Sequence, residues 1–254
     1  MLILAALHFP PIEELLEWKD MGLPGFNKIS LLCVLSAVIT FVFFKMAGRQ
    51  GQLVPRPLQN AAESTIEFVR DSVIMQTMGS EGMYWLPFLV TMFVFLMVAN
   101  LFEVVPFLQF PPTARMAVPG PLALFVLILF VFMGAKRQGG LGSYIKSTIV
   151  PPGVPKALYV LVVPIEFFST FLMRPFSLAV RLFANMLAGH LLIVTFSILS
   201  AALFTKSVLF VLLPLPFAML LAVTIFEILV AVLQAFIFTI LTAVYIGEAM
   251  NPEH

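Results

Sequence analysis

The last hundred residues constrain the whole chain. From Ala157 to Leu203 runs a nearly unbroken apolar stretch of about 47 residues, and after Lys206 a second one reaches Tyr245. At 1.5 Å per residue the first would be roughly 70 Å long as one helix, more than twice the ~30 Å hydrocarbon core of a bilayer. It cannot stand upright across a membrane. Either it is two spans joined by a hidden turn, or it is one tilted, bent helix lying along another object in the membrane. Pro164 and Pro175 are placed to bend it, and Pro214 and Pro216 to bend its successor.

Composition agrees, with 61% hydrophobic and 11% charged residues against roughly 25% charged in soluble domains. Three earlier segments have the length and apolarity of membrane helices: about 26–48, 84–106 and 119–135. Tyr84 and Trp85 open the second like an aromatic belt, Glu103 lies near its end, and Lys136 and Arg137 close the third as snorkelling cations. Residues 56–78 differ. Ala62, Ile66, Val69 and Val73 recur at helical spacing while Glu63, Glu67, Arg70 and Asp71 take other faces, which suits a helix in the interface plane. The sequence therefore predicts an all-α polytopic membrane protein with five crossing helices and one interfacial amphipathic helix, the last two spans long, tilted and forming a hairpin. Its parts are an N-terminal segment 1–25, a region 26–135 with the first three spans, a Gly/Pro loop 136–156 and the hairpin 157–250.

Loop charges give the orientation. Lys45, Arg49 and Arg56 follow the first span, and Lys136, Arg137, Lys146 and Lys156 follow the third, whereas the N-terminal segment carries Glu13, Glu14, Glu17 and Asp20 against Lys19. The positive-inside rule puts the N-terminus outside and, after five crossings, the C-terminus in the cytoplasm. The N-terminal MLILAALHFPP lacks a basic flank and a small-residue cleavage site and is expected to stay in the mature chain. A net charge of +1 leaves no basic stripe for nucleic acid, and the single Cys33 can form no intrachain disulfide. No metal-ligand cluster, cofactor motif or nucleotide-binding P-loop is present in the sequence.

The chemistry lies in charges that the apolar runs should exclude. A charged side chain in hydrocarbon costs about 2.5–3.5 kcal/mol on insertion scales. The two runs nevertheless hold Glu166, Arg174, Arg181 and Glu227, with His190 as a further ionisable group. At about 100° per residue, Thr170, Arg174, Ser177, Asn185, Ala188 and Thr195 fall within about 40° of Arg181, and His190 points the opposite way. On the next run Glu227, Gln234 and Tyr245 share a second stripe. The two helices thus offer separate polar tracks, and an antiparallel hairpin could bring His190 and Glu227 together, which spacing alone does not decide. Ala184 and Ala188 would let a neighbouring helix approach the Arg181 face. Arg181 stays protonated, so it is a fixed charge; His190 and Glu227 are the groups able to relay protons. Against these stand plainer roles: Arg174 snorkelling, Glu166 at the membrane surface, His190 as an interhelical hydrogen-bonder, and Arg181 paired with Glu227.

The stretch RPFSLAVRLFANMLAGHLL, from Arg174 to Leu192, closely resembles the signature of subunit a of the F-type rotary ATP synthase, and LQAFIFTILTAVY, from Leu233 to Tyr245, is a second match. The resemblance implies a non-catalytic stator subunit in the plasma (inner) membrane of a bacterium. In that role it would pack a tilted hairpin against a rotating c-ring, with b-type peripheral-stalk subunits, the lipid bilayer and translocated protons as its other partners. Carried over by position, Arg181 matches the family's essential arginine, Asn185 its polar neighbour and Gln234 the glutamine of the second hairpin helix. Many relatives have Glu at position 190 and His at that of Glu227, so this chain exchanges the pair, which preserves one acid and one imidazole if they touch. Ser177, Tyr245 and Glu166 complete the expected proton path. Two rivals remain at this stage: a secondary transporter with a substrate site at Arg181, which calls for inverted repeats and broken helices, and a structural scaffold in which Arg181 is merely paired.

Overall fold

In the computed structural model residues 27–48, 56–105, 108–150, 158–204 and 208–250 are described, and the architecture is helical throughout them. The acidic N-terminal segment, Arg49, Lys156 and Lys206 lie outside these residues. Eight helices are numbered here: α1 Lys28–Gly48, α2 Pro57–Val69, α3 Leu86–Leu101, α4 Pro119–Arg137, α5 Leu141–Ile149, α6 Tyr159–Phe167, α7 Arg174–Leu203 and α8 Pro214–Met250. Among the described residues five helical stretches are long and apolar enough to cross a membrane: Lys28–Gly48, Gly79–Leu101, Pro119–Arg137, Tyr159–Leu203 and Phe210–Met250. The chain is an all-α polytopic membrane protein.

α7 and α8 form the expected hairpin. α3 packs on α8, α4 packs on both hairpin helices, and α1 lies outside against α3. α3 is apolar all round because it is enclosed, burying Leu89, Val90, Met92, Phe93, Val94, Leu96 and Ala99. The hairpin's far side, with Val160, Leu161, Ile225 and Leu229, presents large apolar side chains outward, as lipid or a membrane partner requires. α2 begins at Pro57, where the missing N–H costs nothing, and buries Ala62 and Val69. A π-turn, Arg70–Ile74, carries it on to bury Val73 and Ile74. The apolar face read from the sequence is thus the buried one.

The long run from 159 to 203 is one helical stretch, without the alternative hidden turn. A π-turn at Phe168–Met173 joins α6 to α7 immediately before Pro175. Proline cannot donate to the carbonyl four residues back, that of Phe171, and its ring crowds it; widening the turn relieves both problems. One extra residue per turn also rotates everything upstream out of phase. Thr170, expected on the Arg181 stripe, is consequently buried at 2% exposure. Pro214 and Pro216 do not bend α8. They stand in its first turn, where their missing donors have no intrahelical partner anyway.

Two boundaries differ from expectation. α3 stops at Leu101 instead of reaching 106, because Val105 precedes a proline and is steered away from helical backbone, and because Asn100 is tied sideways. The loop expected over 136–156 contains α5. After Gly139 and Gly140, both at positive φ (78° and 148°), the chain re-enters a helix that buries Tyr144 and Ile149. Tyr144 lies across Gly134 of α4, where any β-carbon would run into its ring.

Candidate functional site

α7 divides its residues cleanly. Leu178, Ala179, Leu182, Met186, Gly189 and His190 are buried, while Arg181, Ala184, Asn185 and Ala188 are exposed. The exposed set follows the three- and four-residue spacing of one helix face, so a small, polar strip carrying a guanidinium lies open along the hairpin. Among the described residues Arg181 makes no hydrogen bond or ion pair, and the structural pair with Glu227 is not formed.

The two polar tracks meet. Asn185 Nδ2 donates to Gln234 Oε1 at 2.8 Å, joining α7 to α8 one turn from Arg181. Gln234 is almost fully buried, and its Nε2 has no hydrogen-bond partner among the described residues.

Toward the end of the bundle where α1 begins lies a buried polar pocket. Glu227 (3% exposed) and His190 (5%) are both in it, as the antiparallel hairpin requires. They do not bond to each other. The Glu227 carboxyl occupies the notch left by the absent side chain of Gly189, and its Oε2 has no partner among the described residues. The His190 ring instead meets Phe110 edge-on, centroids 5.1 Å apart. Lys28 lies within electrostatic reach of His190 and donates to the Leu108 carbonyl at 2.9 Å.

A second acid shares this pocket. Glu103 is 2% exposed, both its carboxyl oxygens lack partners among the described residues, and it feels the charge of Glu227. Beside it Asn100 donates to the Ala231 carbonyl at 3.3 Å and accepts from Thr113 Oγ1 at 2.7 Å, pinning α3 to α8. Sequence reading placed Glu103 at a helix end and gave it no role. The available signal was an amide and an acid three residues apart where a proline forces an apolar helix to stop. No group of three or more metal-ligating side chains occurs among the described residues.

At the opposite end Tyr245 neighbours Ser177 and Arg181. Arg174 does not simply snorkel: its guanidinium sits 5.3 Å from the Tyr245 ring centroid and forms an ion pair with Glu248, closing the base of the hairpin. Arg137 also has a protein partner, Glu81, at 3.0 Å. Glu166 is half-buried on α6, on the far side of the π-turn from Arg181.

This constellation is an exposed arginine in a span, an amide bridge beside it and buried acids to one side. It sits within the region matched by the family model for the ATP synthase A chain, residues 30–247. ATP synthase subunit a of Rhodococcus erythropolis (strain PR4 / NBRC 100887) is 45% identical over 171 residues, covering 67% of this chain and 62% of that protein. The subunit a of Frankia alni (strain DSM 45986 / CECT 9034 / ACN14a) is 39% identical over 196 residues, covering 74% of this chain and 68% of the relative. That of Hyphomonas neptunium (strain ATCC 15444) is 37% identical over 198 residues, covering 76% of each. The chain spans about three fifths to three quarters of the length of these curated relatives. With the hairpin and its arginine inside the matched region, the chain belongs to the ATP synthase A chain family.

Proposed function

We propose that this chain is the proton-translocating stator subunit in the membrane sector of a rotary ATP synthase. It forms two offset aqueous half-channels against a ring of c subunits and couples proton flow to rotation and ATP synthesis. The observation that carries the reading is Arg181, a permanent charge on the open face of a span that no carboxylate among the described residues pairs with. Such a charge is costly in lipid, and a moving carboxylate on an adjacent ring would compensate it. Ala184 and Ala188 leave room for that ring's helices.

On this reading protons enter from outside through the pocket of His190, Glu227 and Glu103. They pass the Gln234–Asn185 bridge and neutralise a ring carboxylate, which can then cross lipid without the cost of a bare charge. After a turn of the ring the proton leaves past Ser177 and Tyr245, with Glu166 farther along on α6. Arg181 separates the two paths: it attracts the ionised carboxylate and, never losing its own proton, blocks direct leakage. The basic end of the bundle, with Lys45, Lys136, Arg137 and Lys146, faces the cytoplasm of a bacterium whose plasma membrane holds the complex. Peripheral-stalk b-type subunits complete the stator. Each charge crossing supplies about 2.3 kcal/mol per 100 mV, passed on as rotation to a separate catalytic head.

A transporter site at Arg181 is disfavoured because α7 and α8 run unbroken past Arg181 and Gln234, without the interrupted helices such sites use. Replacing Arg181 with alanine in the assembled complex tests the proposal. ATP-driven proton pumping should vanish while the ring still co-purifies; normal pumping by R181A would sink it.

A further inference from the structure

The ion pair between Arg174 and Glu248 ties the start of α7 to the end of α8 at the base of the hairpin. Three features mark it as more than a clamp. Glu248 stands two residues before the C-terminus of α8, where the helix dipole disfavours a negative charge. A carboxylate kept there is held against that bias by Arg174. Second, the pair is wet: the Arg174 side chain is 30% exposed and that of Glu248 53%, so the carboxyl can exchange protons with water. Third, it ends a line of polar groups. From Arg181, Tyr245 and Ser177 lead to Arg174, which is seven residues and roughly 10 Å from Arg181 along α7. Among the described residues, the charged and titratable groups facing Glu248 include Arg174 from α7, Tyr245 from α8 and Tyr144 from α5. The end of the bundle around it also carries Lys136, Arg137 and Lys146.

We propose that Glu248 is the proton-exchanging carboxylate at the mouth of the half-channel opening on the basic end of the bundle, with Arg174 as its positioning residue. This rests on the reading of the chain as a proton-translocating subunit. An end of the bundle rich in cations repels protons; besides Glu81, which is paired with Arg137, the Glu248 carboxylate at the foot of the hairpin supplies an acceptor and a local attraction. A proton arriving past Ser177 and Tyr245 binds a Glu248 carboxylate oxygen, and the pair with Arg174 weakens as the negative charge is neutralised. The same proton then passes to bulk water and the ion pair re-forms. Nothing is consumed.

The test is passive proton conduction through the assembled membrane sector in vesicles stripped of the catalytic head, at low and at high concentration of a mobile buffer such as imidazole. Glu248→Gln keeps an oxygen to accept from Arg174 but cannot titrate. Its conduction should fall about tenfold at low buffer and recover towards wild type at high buffer, because mobile carriers replace the lost carboxylate. Glu248→Asp should retain conduction at both. If Glu248→Gln does not bring down the ring, the double variant Arg174→Gln with Glu248→Gln, whose amide pair can still span the hairpin, carries the same measurement. Unchanged conduction at low buffer, or a loss that buffer leaves untouched, would overturn the proposal and reduce the pair to a clamp. The R181A variant, measured alongside, separates this failure from failure of the underlying reading: if R181A pumps normally, the proton path itself is wrong.

Discussion

Gly189→Ala isolates the placement of Glu227 from its presence. A β-carbon at Gly189 would overlap the Glu227 carboxyl, with even Oε1 only 2.7 Å away. Ordinary contacts of this kind need roughly 3.5 Å, so the carboxyl must withdraw by about 1 Å. It is the end of a flexible side chain, so the hairpin should tolerate the methyl with little loss of stability. Proton transfer is less tolerant, because donor and acceptor must come within about 2.6–3.2 Å, directly or through one water. We expect ATP-driven pumping, followed by quenching of a pH-sensitive dye in inverted vesicles, to fall about tenfold, equivalent to about 1.4 kcal/mol in a barrier. Ring co-purification should be unchanged. Glu227→Asp shortens the side chain by one methylene and should by itself lower pumping by leaving the notch half empty. Combined with Gly189→Ala it should refill the space and pump better than Gly189→Ala alone, a coupling that a double-mutant cycle measures. Wild-type pumping by Gly189→Ala, or a double variant whose defect is the product of the two single ones, would refute the role given to this notch.

Further expectations concern neighbouring contacts. Asn185→Leu and Gln234→Leu each break the 2.8 Å amide bridge, and their pumping defects should be strongly non-additive in the double variant; additive defects would mean the bridge is incidental. Glu103→Gln should lower pumping with assembly intact if Glu103 shares the entry pocket, and an unaffected rate would remove it from the path. Gly134→Val drives a branched side chain into the Tyr144 ring and should destabilise the bundle by about 1–3 kcal/mol, read as lower thermal stability in detergent. Burial pushes the Tyr144 phenol above its ordinary range, opposed more weakly by a hydrogen bond with Thr148. Its contribution to stability is therefore full below the unfolded phenol value near pH 10 and is lost as pH rises through the folded one. Tyr144→Phe should remove that alkaline loss, measurable as a smaller fall in melting temperature above pH 10.

Much of this was legible in the sequence because membrane insertion makes polarity conspicuous. The stripe from Arg181 to Ala188 emerged from helical spacing alone, and it is the exposed face of α7. The phase held because α7 is regular from Arg174 onward. It failed at Thr170, where a π-turn consumes an extra residue, and periodicity cannot anticipate a change of period. Glu103 was overlooked for a different reason. Its burial depends on α3 packing against α8, a contact between residues more than a hundred positions apart, and an acid at a helix end has an easier explanation as a surface charge. The hairpin that could bring His190 and Glu227 together does bury both, without a hydrogen bond between them among the described residues. Antiparallel packing sets which residues are level, but the vacancy at Gly189 and the Phe110 edge decide where each side chain turns.

On the proposed reading, the arrangement along the hairpin also explains why transport needs a partner. The buried pocket of Glu103, His190 and Glu227 lies on one side of the Asn185–Gln234 bridge, and Tyr245, Ser177 and the Arg174–Glu248 pair lie on the other. Between them stands Arg181, a guanidinium that cannot give up its proton under any accessible condition. A proton moving within this chain alone would have to pass a fixed positive charge in a medium of low dielectric, where repulsion is poorly screened. The guanidinium faces outward, so the detour around it runs through whatever occupies the open strip of Ala184 and Ala188. On the proposed reading that occupant is a ring carboxylate that leaves neutral and returns charged. Obligatory rotation then follows from the placement of a single cation on the outside of α7.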